Sequence, residues 1–419
     1  MVEPILITSD FEEHLEAYAN LIVARGVSLE AGQTVIISAP VEAYDFARRV
    51  QRVCFEHGAK DVIMKWTDNE GGVLRLRHAT LETLTDIPQW FADSYNDYAR
   101  GDVVFIALDT EFPPPKGLDP AKVSQSRIAR MKATEPFTDA RMEAVVRWNI
   151  SSVATTEWAS MVYPALSPEE GLRRLWHDVL MCTRCLEKDP VRAWDKHVKK
   201  NNAYRDMLNE AELTALHFKS ELGTDLIVGL PVGYCFCATQ ETGSDGTLFI
   251  ANMPSEEIFA APDRLRVNGT VVASMPLLYN NEKVEGLRLE FKDGKAVSFS
   301  ADRGTEAIEH LLATDEGASY LGEVALVPHD SKVSSTGTLF YTTLYDENAS
   351  CHLALGKAYP DSIKGGLEMT QDELLAAGLN HSLEHVDFMF GTPQLCVTGI
   401  TTEGERIPVF ESGNWALEV

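Results

Sequence analysis

The sequence predicts an α/β protein in two parts: a helix-covered, mostly parallel sheet over residues 1–190, then a β-rich α+β domain over residues 191–419. Three observations point there. At 419 residues the chain exceeds one ordinary domain. Its first half alternates short β-rich runs with helical periodicity, as a parallel sheet covered by helices requires. Beyond about residue 215 the texture changes to short apolar runs separated by turns.

Taken in order, Ser9-Asp10-Phe11-Glu12 has the form of a capping box, and apolar spacing through Leu15, Tyr18, Leu21 and Ile22 continues a helix to about Arg25. A strand follows at Thr34–Ser38, ended by Pro40, then a helix from about Glu42 to Glu56 with His57 and Gly58 as its stop. A second strand spans Asp61–Trp66, and a third, Asp102–Leu108, comes after a helical stretch from about Leu81 to Tyr98. None of these strands leads into a Gly-x-Gly-x-x-Gly or a Walker-type loop, so a nucleotide site has no support. The Pro-rich connector Phe112–Pro120 introduces a long helical region, about Ala121–Val146, then a strand near Ile150–Thr155 and a helix over Ser167–Glu187. The domain boundary is expected near Lys188–Trp194, with a helix from Trp194 to Ala215 leading into the second half. There the expected strands are Leu226–Leu230, Thr247–Ala251, Val271–Ala273, Gly286–Phe291, Ala296–Ser300 and Val324–Pro328, with helices at Thr305–Ala313 and Thr370–Ala377.

Charge narrows the partners. The chain carries 63 acidic and 37 basic side chains, a formal net charge of −26, which argues against a nucleic-acid backbone or an anionic membrane as partner. The opening MVEPILITSDFEEH has neither the basic nor the apolar region of a signal peptide, and no apolar run is long enough to cross a bilayer. Seven cysteines without a secretion signal suggest reduced thiols in a cytoplasm. Cys182 and Cys185 lie in a helical pattern; Cys235 and Cys237 could be imagined as a second pair, but the spacing fits no zinc ribbon, and buried inert thiols are expected.

The stretch with most chemistry in it is NHSLEHVDFMFG, Asn380–Gly391. His385 and Asp387 stand two apart in a strand-like run, so they emerge on one face while Val386, Phe388 and Phe390 take the other. Alone, that pair reads most plainly as a buried His satisfied by an Asp. Three further stretches add to it. ANMPSEEIFAAPD places Glu256 and Glu257 in a loop, YLGEVALVP opens an apolar strand with Glu323, and LFYTTLYDENASCHLALGKAYP holds Glu347, His352 and Tyr359. Each has an ordinary explanation: a solvated loop Glu, an edge-strand Glu facing water, a buried His bonded to a carbonyl. Together, Glu257, Glu323, Glu347 and Asp387 supply four carboxylates, and His352 and His385 two imidazoles. Four negative charges match two divalent cations, the stoichiometry of a hydrolytic centre that activates a shared water. Oxygen and nitrogen donors without thiolate, unless Cys351 joins them, suit zinc, cobalt or manganese.

In this order, NMPSEEIFAAPD, LGEVALVP, LFYTTLYDENASCHLALGKAYP and HVDFMFG resemble the M29 metallo-aminopeptidases, the aminopeptidase T/aminopeptidase S family of bacteria. The similarity is continuous over about Leu226–Val397 and looser in the first half, with no clear departure at the ligand positions. The resemblance implies that Glu257, Glu323, Glu347, His352, His385 and Asp387 are metal ligands, with Glu323 bridging and Glu257, before Ile258-Phe259, preferred to Glu256. It implies that Glu257 or Glu323 shuttles the proton and that Tyr359 faces the metals in an oxyanion-hole role, although an aromatic before Pro360 in a turn has a purely structural reading too. His381 and Glu384 are expected to support the ligands from behind. The resemblance further implies a cytoplasmic homodimer that cleaves peptides with a free N-terminus. Two rival readings stay open: another dinuclear hydrolase, an amidase or phosphoesterase, on the same ligands, and a non-catalytic ligand-binding protein whose acids are a solvated face.

Overall fold

A computed structural model describes residues 9–113, 115–279 and 282–419. The chain forms two compact units, one of residues up to Asp195 with Gln240–Met253, the other of Lys196–Thr239 with Pro254–Val419. It passes from the first to the second within a helix, Pro190–Glu210.

The first unit is a parallel sheet with helices. Its strands β1 (Thr34–Pro40), β2 (Asp61–Thr67), β3 (Val103–Asp109) and β4 (Arg147–Ser152) lie in the order β4-β3-β1-β2, and Asn252–Met253 adds a fifth parallel strand beside β4. β1 and β3 sit inside and are almost wholly buried, which is why they read as unbroken Val/Ile/Phe runs. The opening helix, Ser9–Leu21, continues through a π turn, Ile22–Gly26. The capping pair expected at its start involves Ser9, whose side chain lies outside the described residues.

Several boundaries differ from expectation, each for a local reason. Pro88 splits the helix expected over 81–98 into Leu81–Thr85 and Gln89–Asn96. The next long helix divides at Thr134, just before Pro136, into Pro120–Ala133 and Glu135–Met142. The helix Asn69–His78 escaped notice because Gly71 and Gly72 dilute its signal; Asp68 caps it by accepting the Gly71 N–H at 2.8 Å. β4 begins three residues early because Arg147 is buried, its guanidinium donating to the carbonyls of Val27 and Ser28, to Gln33 and to Asp245. Asn149 donates to the Ile250 carbonyl at 2.8 Å. These bonds fasten 240–253 to the first unit, although its sequence reads as part of the second half.

The second unit packs two antiparallel sheets around one core. The larger runs, in spatial order, Lys295–Ser300, Arg288–Lys292, Val267–Val272, Asp225–Gly229, Leu213–Lys219, Cys396–Thr401, Arg406–Glu411 and Asn414–Trp415. Leu213–Lys219 is a strand where a helix to Ala215 was expected: Glu212, at φ +48°, ends the helical path, and the strand pairs on both sides. The smaller sheet has strands β5 (Cys237–Ala238), β6 (Ile258–Ala260), β7 (Leu321–Leu326), β8 (His352–Gly356) and β9 (His385–Met389), neighbours in that sequence. Ile258, Val324, Leu353 and Phe388 on its inner face meet Leu216, Phe218 and Val228 of the larger sheet, and Phe390 packs edge-on to Phe218 at 5.3 Å.

Candidate metal centre

The other face of the smaller sheet is the site. Register places Phe259 opposite Ala325, Ala325 opposite His352, Glu323 opposite Ala354, Ala354 opposite Asp387 and Gly356 opposite His385. With a period of two, one face therefore carries Glu257, Glu323, His352, His385 and Asp387, while their chain neighbours enter the core. Ala325, Ala354 and Gly356 leave room between the longer side chains.

Glu323 reaches that face through a bulge. Without one, Leu321 would share its side of β7; the register shift between Leu321 and Glu323 turns Leu321 into the core opposite Leu355. Glu347 arrives from beside the sheet, in the 3₁₀ turn Glu347–Ala349 just before β8.

The six side chains expected as ligands meet in three overlapping triads: Glu257–Glu323–His352, Glu323–His385–Asp387 and Glu347–His352–Asp387. His352 Nε2 lies 3.3 Å from Glu257 and 3.4 Å from Glu323; His385 Nε2 lies 3.5 Å from both Glu323 and Asp387. His352 is 1% exposed, yet its Nε2 has no hydrogen-bond partner, nor has the buried Asp387 Oδ1. Such atoms are costly unless something else meets them. Donors about 2.0–2.1 Å from a tetrahedral ion stand about 3.4 Å apart, which matches the spacing here. The donor set and geometry fit divalent cations.

The histidines are oriented from behind. His352 Nδ1 bonds the Ser350 carbonyl at 3.1 Å and His385 Nδ1 the Lys357 carbonyl at 2.7 Å, so each ring points its Nε2 into the cluster, where a neutral ring would present its lone pair to a cation. His352 thus bonds a carbonyl through one ring nitrogen and faces the carboxylate cluster with the other.

The cluster's own charges conflict. Burial, then Glu257 and Asp387, push Glu347 well above the ordinary carboxylate range, and burial raises Glu257 despite His352. Burial opposes charge on Glu323 too, but the two imidazoles prevail and hold it low. His385 is driven to about 11, where Asp387 and Glu323 outweigh burial. Burial and the neighbouring carboxylates thus work against charge on Glu257 and Glu347, and cations beside them would reverse that balance.

Tyr359 stands at the edge of the cluster, its ring 4.8 Å from that of His385 and 6.4 Å from Phe259. Burial, followed by the surrounding carboxylates, raises its phenol, which stays protonated. Glu256 turns away, its carboxylate 3.8 Å from His197. Cys351 points into the core and donates to the Val327 carbonyl, so it does not join. The supporting roles expected of His381 and Glu384 are not found: His381 is exposed, and Glu384 accepts from Tyr279 and Thr314. Sequence reasoning missed Asn348, wholly buried, whose amide accepts the Glu256 N–H at 2.6 Å and reaches the Glu347 carboxylate at 3.5 Å. Nothing in its sequence context marks it out.

A family model described as thermophilic metalloprotease (M29) matches residues 11–415. The chain belongs to the M29 metalloproteases. Among M29 relatives, aminopeptidase AmpS of Bacillus subtilis is 38% identical over 97% of this chain and 99% of its own. Aminopeptidase T of Thermus thermophilus is 38% identical with the same coverage. The solved wild-type AmpT from Thermus thermophilus superimposes with a TM-score of 0.91, covering 97% of this chain and all of that one. This M29 chain is accordingly a metal-dependent peptidase, with the α/β-plus-antiparallel fold of that structure.

Proposed function

We propose that the protein is an aminopeptidase that releases the N-terminal residue of peptides at a dinuclear centre held by Glu257, Glu323, Glu347, His352, His385 and Asp387. The observation that carries this is the convergence of five of them on one sheet face with Glu347 beside it, His352 Nε2 and Asp387 Oδ1 being buried and unbonded. The relatives' names support the choice of aminopeptidase. Two divalent ions, zinc, cobalt or manganese, would supply Lewis acidity that polarises the scissile carbonyl and acidifies a bridging water.

The chain's own groups do the rest. Glu323 lies 3.4 Å from His352 and 3.5 Å from His385, which supports it as the carboxylate that both ions would share. Glu257, 3.3 Å from His352 Nε2 at the edge of the cluster, is the carboxylate that would take a proton and return it to the leaving amine. Tyr359, kept protonated, donates to the oxygen on which charge develops. A homodimer in the cytoplasm belongs to the same reading; all seven cysteines are free thiols.

Glu323→Gln should abolish hydrolysis of aminoacyl-p-nitroanilides with the circular dichroism spectrum unchanged. EDTA should stop the wild-type enzyme and about two equivalents of metal should restore it. N-acetylated substrates should remain intact. Cleavage of blocked amides would point to a general amidase, and protein that takes up no metal would be a binder.

A further inference from the structure

Beside Asp387 lies a cavity of about 50 Å³ that the mechanism above does not use. One wall is the strand pair Leu277–Tyr279 and Glu282–Val284, which contributes Leu277, Leu278 and Lys283. Residues of the segment from Leu339 to Asp346, which runs straight into Glu347, line it as well. Asp387 and Met389 of β9 complete the lining. The cavity therefore touches one expected ligand and borders the element that carries another.

Its surface is built for an apolar group. Leu277, Leu278, Leu339 and Met389 dominate, and the one cation, Lys283, is already paired with Glu285 at 2.8 Å. Asp346, buried at the same place, accepts the Phe340 N–H at 2.8 Å and disfavours a second negative charge. Tyr341 on the rim has φ +59°, a conformation seldom adopted by a non-glycine residue. Such strain persists where a surface must be held in one shape, as ligand clamps are.

We infer that this cavity receives the side chain of the substrate's N-terminal residue and selects for apolar over acidic ones, with Leu278 and Leu339 setting the size limit. The inference rests on the aminopeptidase reading. An exopeptidase must end its cleft beyond the terminal residue, and a small recess abutting the cluster suits that residue, not a continuing chain. At about 50 Å³ it has roughly a third of the ~150 Å³ that admits a benzene ring, so its walls discriminate by bulk.

The test is kcat/KM on alanyl, leucyl, phenylalanyl and aspartyl p-nitroanilides. Wild type should favour leucyl over aspartyl. Leu278→Ala with Leu339→Ala should raise the phenylalanyl-to-alanyl ratio by about tenfold or more. Thr343→Trp, at an exposed rim position, should lower that ratio while alanyl turnover persists, and it covers the case in which the double variant fails to fold. Ratios that stay fixed while all substrates are cleaved overturn the subsite and leave the aminopeptidase reading standing. A shift confined to the second residue of dipeptide substrates overturns it likewise. Wild-type enzyme that cleaves no free-amine substrate overturns both.

Discussion

Asp315 shows how one side chain outside the cluster governs it. Its carboxylate accepts the Leu383 N–H at 2.7 Å, the Ser382 hydroxyl at 2.8 Å and the Ala318 N–H at 2.9 Å, fixing the loop that delivers His385. Burial works against its charge, but these donors win and hold it below the ordinary carboxylate range. A folded-state value below the unfolded one, about 3.9, gives stability that is complete above that pH and lost as pH falls through the folded value. Asp315→Asn should therefore cost about 1 kcal/mol at pH 7 and progressively less below pH 4, read from urea melts at both. At this scale the six converging residues were legible because charged groups stood among apolar neighbours in recognisable motifs. Asn348 and the Ser350 and Lys357 carbonyls were not: a backbone carbonyl has no letter of its own, and an Asn in a turn reads as a turn residue.

Among elements, β9 was the most transparent, since His385 and Asp387 alternate with Val386 and Phe388 without interruption. β7 was not, because its bulge breaks that alternation between Leu321 and Glu323. Gly322 makes the bulge possible: a Cβ there would lie 2.2 Å from the Lys357 oxygen and 2.5 Å from that of Gly356, both backbone atoms. Gly322→Ala should destabilise the protein by about 1–3 kcal/mol and suppress activity by moving Glu323, seen as a lower denaturation midpoint and a lower kcat. Gly72, in the helix Asn69–His78 with open space around it, is the control; Gly72→Ala should be neutral or stabilise by up to about 1 kcal/mol. Helix ends were misjudged where a proline interrupts a continuing apolar period, as at Pro88, or where a strand begins at once, as at Leu213.

For the whole molecule, the alternation of the first half and the strand-rich texture of the second were both readable, because each is a repeated pattern. The return of Gln240–Met253 to the first unit was not, since it depends on Arg147 and Asn149 finding partners about a hundred positions away. All six expected ligands belong to the second unit. Adding EDTA should therefore lower amide protection in hydrogen exchange within 196–239 and 254–419 and leave the first unit's sheet unaffected; at a free metal concentration 100 times Kd the lost stabilisation is about 2.7 kcal/mol for each ion. The chain's three crossings between the units also dictate how the gene can be divided. A stop codon after Asp195 would strip the parallel sheet of its border strand and remove Asp245 from the buried guanidinium of Arg147, leaving it only the more distant Glu30 carboxylate at 3.6 Å. The complementary fragment would carry a stranded 14-residue passenger. Neither half can be freed by a single incision, because each is assembled from two separate stretches of the polypeptide.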